Sequence, residues 1–554
     1  MIGLSNLLPR LPVGKRKKSA LRSSVAGTLS RFTRETDGNM SILALSGSMV
    51  MLVFGGVGID MIYSEVQRTK LQNTLDRAVL AAANLDQELD PELVVHEYFA
   101  AMNMEDALSS VTVDQGLSHR IVNAQAERDV GANFLQMLGV DVLHTEGEAT
   151  AEERIANVEI SMVLDISGSM GSNNKIGNLR NAATDFVETV IKEDDSGLTT
   201  INVVPYNATV NLGSTVASYY DLEDSHDYSN CGVFPSGAFN TTTLDPTQEI
   251  GRLAHFDPWS TSTSNTPNHR SWCADDDYGA IMVHSSDETA LTTHIASLGA
   301  GGNTAIDLGM KWGVALLDPS ARPVVSSMIS DGLIVGEASG RPAAYTAEDA
   351  IKIAVVMTDG MNTTQYDLKN QFKYGMSDLW IDDRGDNNPG NDRFSLQVRD
   401  WSGSSNDVWY WERYRNDGWS SRYRGNPDGG GNARQMTNAE VFARWGTRGY
   451  ARKFYRKPYE DNWFSYNTYR NVYYAYEATV GGNSADARLS TICQAARDQD
   501  ITIFAIGFEA PTRGQDAMRD CASSPAHYFA VDGLEISDAF QQIARTINQL
   551  RLTQ

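Results

Sequence analysis

A chain of 554 residues is too long for one compact core, so two or three folded units are expected. Apolar residues at 41% are enough for globular packing, and no long segment has the composition of a disordered chain. The net charge of −24 and pI near 4.8 exclude nucleic acid as a partner, because no basic surface is left to displace counterions from phosphates.

The charge is uneven. Residues 1–37 form a basic segment carrying Arg10, Lys15, Arg16, Lys17, Lys18, Arg22, Arg31 and Arg34. Residues 38–59 follow, GNMSILALSGSMVMLVFGGVGI, without a single charge. At about 1.5 Å per residue, that run is long enough to cross a bilayer core. The basic flank keeps the N-terminus in the cytoplasm and sends everything after Asp60 across. The run lies late in the chain and lacks a small-x-small cleavage site, so it reads as an uncleaved anchor and not as a signal peptide. Gly55, Gly56 and Gly58 offer a place for close approach of a partner helix, without a GxxxG pair.

Residues 60–85 continue as a helix, with Ile62, Val66, Leu71, Leu75, Ala78, Val79 and Ala82 near one face. That face covers the first exported domain or docks on a partner helix. An intermediate α+β region spans 86–157, with strands at 111–113 and 119–130, a helix at 134–138 and a further strand or linker after it.

From 158 onward the pattern is regular. VEISMVLD (158–165), TTINVVPYN (199–207), DAIKIAVVMTD (349–359) and DITIFAIGF (500–508) are apolar runs of the kind covered on both faces. Helices are predicted over 175–192, 289–298, 305–317 and 537–550. Strands alternating with helices predict an α/β fold with a doubly wound, mostly parallel sheet. Two insertions, about 208–288 and 362–485, interrupt this domain of 158–554. The second is rich in Trp and Tyr, either as a recognition surface or as a self-packed subdomain. Its run DDRGDNNPGND (382–392) lacks EF-hand spacing and reads as a solvated turn.

The cysteines are Cys231, Cys273, Cys493 and Cys521, with no zinc-ribbon or Cys-x-x-Cys spacing. An even number, widely spaced behind an export signal, points to two disulfides rather than four buried thiols. Sequence order favours Cys231 with Cys273 and Cys493 with Cys521, one of three pairings.

The residues that carry chemistry are in three loops. DISGSM (165–170) follows the first buried strand and offers Asp165, Ser167 and Ser169. GGNTAI (301–306) offers Thr304 ahead of a helix, and MTDG (357–360) offers Asp359 after another buried strand. In open α/β sheets ligands bind at the carboxyl ends of the strands, where these loops lie. Two carboxylates and three hydroxyls are hard oxygen donors suited to Mg²⁺, or to Mn²⁺ or Ca²⁺ in a looser shell. His284 and His294 are isolated and supply no base or nucleophile, so the ion reads as a docking point and the protein as a binder, not an enzyme.

These residues resemble the metal-ion-dependent adhesion site of von Willebrand factor type A domains, a Rossmann-like fold. The D-x-S-x-S match is complete, and the Thr and Asp follow in order. GN at 38–39, the apolar run, Asp60, Leu71-Gln72 and the stretch from Asp76 to Ala83 resemble the Tad (Flp) pilus-assembly proteins of the TadE and TadG type. Residues 302–320, 355–364 and 492–509 are similar to segments of the TadG-like group; the large insertions match less clearly. Glu35 lacks a glycine at prepilin-peptidase spacing, which departs from the pilin-like members. The resemblance implies a single-pass inner-membrane protein with a periplasmic bulk, binding an acidic residue of a pilus or secretion component through the metal. A cell-surface adhesin using the same site on host or matrix ligands is the alternative.

Overall fold

The computed structural model describes residues 39–553 except 86, 88, 116–118, 155, 193–197, 265–270, 348, 387 and 399–407. The basic segment expected over 1–37 lies outside the described residues. The chain divides into two compact units, Met1–Glu153 and Arg154–Gln554.

In the first unit one uninterrupted helix, α1 (Asn39–Ala83), covers both the charge-free run and the segment after it. No proline interrupts the sequence around Asp60, and the helix runs through it. Its first half leaves Ile42, Leu45, Met51, Leu52 and Phe54 exposed, and it is long and apolar enough to cross a membrane. Its second half buries Leu71, Leu75, Ala78, Val79 and Ala82. They pack in one cluster with Val94, Val95 and Phe99 of α2 (Pro91–Ala101) and with Val122, Ala124 and Ala126. Asp90 starts α2, accepting the N–H groups of Glu92 and Leu93, with Pro91 in the first turn. Strands β1 (Leu108–Gln115), β2 (His119–Gly131) and β3 (Val142–Arg154) form a sheet in that order. The face of α1 thus covers this small sheet. The helix expected at 134–138 is a single 3₁₀ turn, Leu135–Leu138. A Cβ on Gly56 would collide with the ring of Phe134, so that glycine admits a side chain of its own chain, not a partner helix.

The second unit is built on β4 (Asn157–Asp165), α3 (Lys175–Lys192), β5 (Thr199–Tyr206), β6 (Met282–Ser285), α4 (Glu288–Ser297), α5 (Ile306–Ala315), β7 (Ala350–Thr358), α6 (Gly482–Arg497), β8 (Thr502–Phe508), α7 (Thr512–Cys521), β9 (Tyr528–Val531) and α8 (Glu535–Thr553). The sheet order is β9-β8-β7-β4-β5-β6, parallel throughout except for the antiparallel edge strand β6. Alternation along β4 explains the layering. Ile160, Met162 and Leu164 enter a core with Phe186, Val187, Phe540 and Ile543 of α3 and α8. Val163, with Val204 and Val356 beside it, enters a second core with Trp312, Leu489 and Met518 of α5, α6 and α7. Helices therefore cover both faces of the sheet.

Strand β6 falls inside the stretch 208–288 read as an insertion. The remainder of that stretch is closed by the disulfide Cys231–Cys273, while Cys493–Cys521 ties α6 to α7. Residues 362–485 build their own five-stranded antiparallel sheet, in the order 423–424, 408–411, 393–398, 376–382, 434–437. Its core holds Leu379, Phe394, Tyr410, Phe442, Trp445 and Phe454, with Phe394 and Trp445 edge to face at 5.0 Å. The same core takes in Leu253, Phe256 and Trp272 of the first insertion, while Trp419 and Tyr466 of the aromatic stretch are exposed. The oxygen-rich run closes on itself as a turn, with Asp386 accepting from Asn388 and Asn391, while Asp392 pairs with Arg444.

Candidate metal centre

Parallel neighbours end side by side. Leu164 of β4 lies opposite Met357 of β7, so Asp165 and Asp359 leave the same edge of the sheet on adjacent strands. Asp165 is fully buried and both of its oxygens are engaged. Oδ1 accepts the Ser167 N–H at 2.8 Å, and Oδ2 accepts the Thr358 hydroxyl at 2.7 Å. The Ser167 and Ser169 hydroxyls lie 3.1 Å apart, and Ser169 donates to Asp359 Oδ1 at 2.6 Å. A Cβ on Gly360 would stand 3.4 Å from the Thr304 hydroxyl and 3.8 Å from that of Ser169, so these two hydroxyls flank one point. Ser167, Thr304 and Asp359 are buried, whereas Ser169 is exposed and marks the open side.

Backbone bonds fix the three loops to each other. Ile166 N–H donates to the Tyr206 carbonyl at 2.8 Å, and Gly168 N–H to the Gly302 carbonyl at 2.9 Å. Gly302 has φ +83°, a conformation that glycine adopts without Cβ strain. Thr363 holds the third loop by accepting the Thr304 N–H through its hydroxyl at 3.1 Å and donating its own N–H to the Thr304 carbonyl at 2.9 Å. Asn362 Oδ1 accepts the Ile306 N–H at 2.7 Å, at the start of α5.

Sequence reasoning named the five donors but not their supports. Thr358, Asn362 and Thr363 flank Asp359, and polar neighbours of a motif residue were the available signal. Lys175 was read only as a helix residue; its ammonium lies 3.1 Å from Asp359 Oδ2 and 3.4 Å from Glu509 Oε2. His284, by contrast, is a buried structural residue with both ring nitrogens engaged, by Thr200 at 2.9 Å and the Leu316 carbonyl at 2.8 Å.

The electrostatics favour a cation. Burial, with the charge of Asp359 beside it, pushes the Asp165 carboxyl up to about 6. Burial and the same carboxylates hold the Tyr206 phenol well above its ordinary range. The Lys175 ammonium pairs with Asp359 and Glu509, Asp165 lies beside Asp359, and a divalent ion would offset the remaining negative charge. Among the described residues no three His, Cys, Asp or Glu side chains gather as a metal cage; three of the five donors here are hydroxyls. The donor set fits Mg²⁺ better than a soft metal. An apolar cleft lined by Leu212, Val216, Ile281, Val283, Met328 and Ile334 lies beside β6 and contains none of the five donors.

Residues 38–85 match the family described as "Putative Flp pilus-assembly TadE/G-like". No curated protein matches the chain. Among solved structures, the chain is similar to the vWF domain of the type V pili tip protein Mfa5 from Porphyromonas gingivalis, at 16% identity and TM-score 0.31, covering 71% of this chain and 96% of that one. It is also similar to the adhesive tip pilin from Group B Streptococcus agalactiae, at 12% identity and TM-score 0.30, covering 70% and 99%. A third is the PilB minor pilin from Streptococcus sanguinis, at 11% identity and TM-score 0.27, covering 80% and 78%.

Proposed function

We propose that this chain is a membrane-anchored component of a Tad (Flp) pilus apparatus. In this reading its second unit is a von Willebrand type A domain that binds a protein partner through a metal-ion-dependent adhesion site. The observation that carries the site is the hydrogen-bonded series Asp165, Ser167, Ser169 and Asp359 at the carboxyl edge of the sheet, with the Thr304 hydroxyl beside it. The match of residues 38–85 supports the pilus context, and the exposed apolar half of α1 supports a single-pass anchor. With the basic flank inside, the bulk of the chain lies on the periplasmic side of an inner membrane.

Asp165, Ser167, Ser169, Thr304 and Asp359 would hold the ion, Mg²⁺ first and Mn²⁺ or Ca²⁺ as substitutes. A bound ion supplies a Lewis-acidic position for a carboxylate of the partner. The chain's own residues do the rest. Thr358 and the Ser167 N–H orient Asp165, and Lys175 holds Asp359. The exposed Ser169 leaves the open side towards the partner. In this reading the ion is a docking point and the protein a binder, not an enzyme.

The test is capture of pilus or secretion proteins by the full chain in membranes, with Mg²⁺ and with EDTA, for the wild type and Asp165→Ala. Capture that needs both Mg²⁺ and Asp165, from a variant whose circular dichroism is unchanged, supports the reading. Equal capture by the variant or in EDTA overturns it.

A further inference from the structure

The connection between β2 and β3 is closed by the Ala132 N–H donating to the Asp141 carbonyl at 3.0 Å. From Val130 to Val140 it carries no charge. Its tip turns outward on the 3₁₀ turn Leu135–Leu138 and on Gly139, at φ +85°. Met137 is 78% exposed, Leu138 60% and Val140 39%. Single exposed apolar residues are ordinary on soluble proteins, but three within four positions form a patch. The tip is also fixed in place. The Asp60 carboxylate, itself only 2% exposed, accepts the backbone N–H groups of Asn133 at 3.2 Å, Phe134 at 2.6 Å and Leu135 at 2.8 Å. One helical turn earlier, Gly56 leaves the space that the Phe134 ring fills.

Gly56 belongs to the charge-free run, four residues from Asp60. At about 1.5 Å per residue it lies about 6 Å along the helix from Asp60, towards the membrane interior. We propose that the loop 133–140 dips into the periplasmic leaflet of the bilayer, making a second, interfacial membrane contact beside the spanning helix. This rests on reading α1 as the anchor. The occupant is lipid because the loop packs on α1 through Phe134 at Gly56, within the charge-free run read as the anchor, where Phe54 and Ile59 are also exposed. An interfacial apolar face typically enters to about 5–10 Å, and the Phe134 ring packs at Gly56 within that range of Asp60. Asp60 tolerates that boundary because three N–H donors replace its water. The two contacts would hold the three-stranded sheet against the membrane surface in one orientation.

The test uses the full chain in phosphatidylethanolamine and phosphatidylglycerol liposomes, spin-labelled at single introduced cysteines. The four native cysteines are paired in disulfides and do not compete for label. Met137→Cys and Leu138→Cys are compared with Leu45→Cys in the apolar half of α1 and Ser110→Cys on an exposed strand position. Collision with oxygen should exceed collision with a polar nickel chelate several-fold at 137 and 138, as at 45 and unlike 110. Labels at 137 and 138 behaving like the one at 110, or shielded from both reagents by protein, would overturn the dip while leaving the anchor intact. A polar result at 45 would overturn the anchor and the dip together.

Discussion

Lys175 places its ammonium 3.1 Å from Asp359, inside the donor set read as a metal centre, and its side chain is only 10% exposed. The same ammonium reaches Glu509 at 3.4 Å. A buried cation so close to the Asp359 carboxylate stabilises the protein and, under the proposed metal-binding reading, would compete with the ion for Asp359. Breaking a buried pair by removing one partner costs about 3–5 kcal/mol, because the remaining charge is uncompensated. Lys175→Met in EDTA is therefore expected to lose about 3 kcal/mol of stability. Saturating Mg²⁺ should restore at least half of that loss, since it replaces the missing positive charge. Urea unfolding of both proteins with and without Mg²⁺ checks this. An identical Mg²⁺ increment in the two would show that Lys175 does not compete.

Gly514 in α7 lies against the turn that carries Asp359. A Cβ there would run into the Gly360 carbonyl, a backbone atom that cannot swing aside as a side chain does. Gly514→Ala should therefore push the 359–360 turn away from the other donors. Overpacking of this kind costs about 1–3 kcal/mol. The expected result is a lower melting temperature together with a smaller Mg²⁺-dependent increment. Gly336→Ala, where a Cβ meets nothing within 4 Å, serves as the control and should change neither.

The contrast between what could and could not be read in advance follows from signal length. Strands β4 and β7 were visible because eight consecutive buried residues in each leave a nearly continuous apolar run, and the donors Asp165 and Asp359 sit at its end. Strands β6 and β9 have four residues each at the sheet edges, half-buried, too short for any periodicity to emerge. The alternating Asp165, Ser167 and Ser169 announced a common crevice. Lys175 gave no such sign, because a lysine at the start of an amphipathic helix is the ordinary solvated choice, and only the fold brings it to Asp359. The division at Asp60 between anchor and proximal helix was a change of composition, and backbone hydrogen bonding does not register composition.

The disulfide Cys493–Cys521 closes a separation of 28 residues between α6 and α7, next to the segment that supports Asp359. Cross-linking a loop of that length stabilises by about 3–4 kcal/mol through the entropy of the unfolded chain. Cys493→Ala with Cys521→Ala should fall by that amount in urea unfolding under oxidising conditions. Dithiothreitol should leave this variant less affected than the wild type, because only Cys231–Cys273 remains to be reduced. A double variant as stable as the wild type would show that packing alone holds α6 to α7.

His284 gives the fold a defined acid sensitivity. Its ring accepts or donates at both nitrogens in a fully buried site; the Leu316 carbonyl can only accept, so Nε2 carries the proton and Nδ1 receives the Thr200 hydroxyl. Burial pushes its pKa down to about 4; Glu159 opposes the shift, as does the bond to Leu316, while Arg341 and Lys352 reinforce it. The unfolded chain takes up that proton near the ordinary histidine value of about 6.5. Between about 6.5 and 4 the unfolded state thus binds more protons, and stability rises with pH. The contribution is complete above about 6.5 and is lost progressively as the pH falls towards 4, reaching about 3 kcal/mol. His255, pushed by burial and by His226 to about 4, adds a parallel slope. The difference between wild type and His284→Gln therefore isolates the one histidine, since the amide can make both hydrogen bonds without titrating. Unfolding free energies at pH 7 and pH 5 in EDTA should fall more steeply for the wild type than for the variant. Equal slopes would place the acid sensitivity elsewhere.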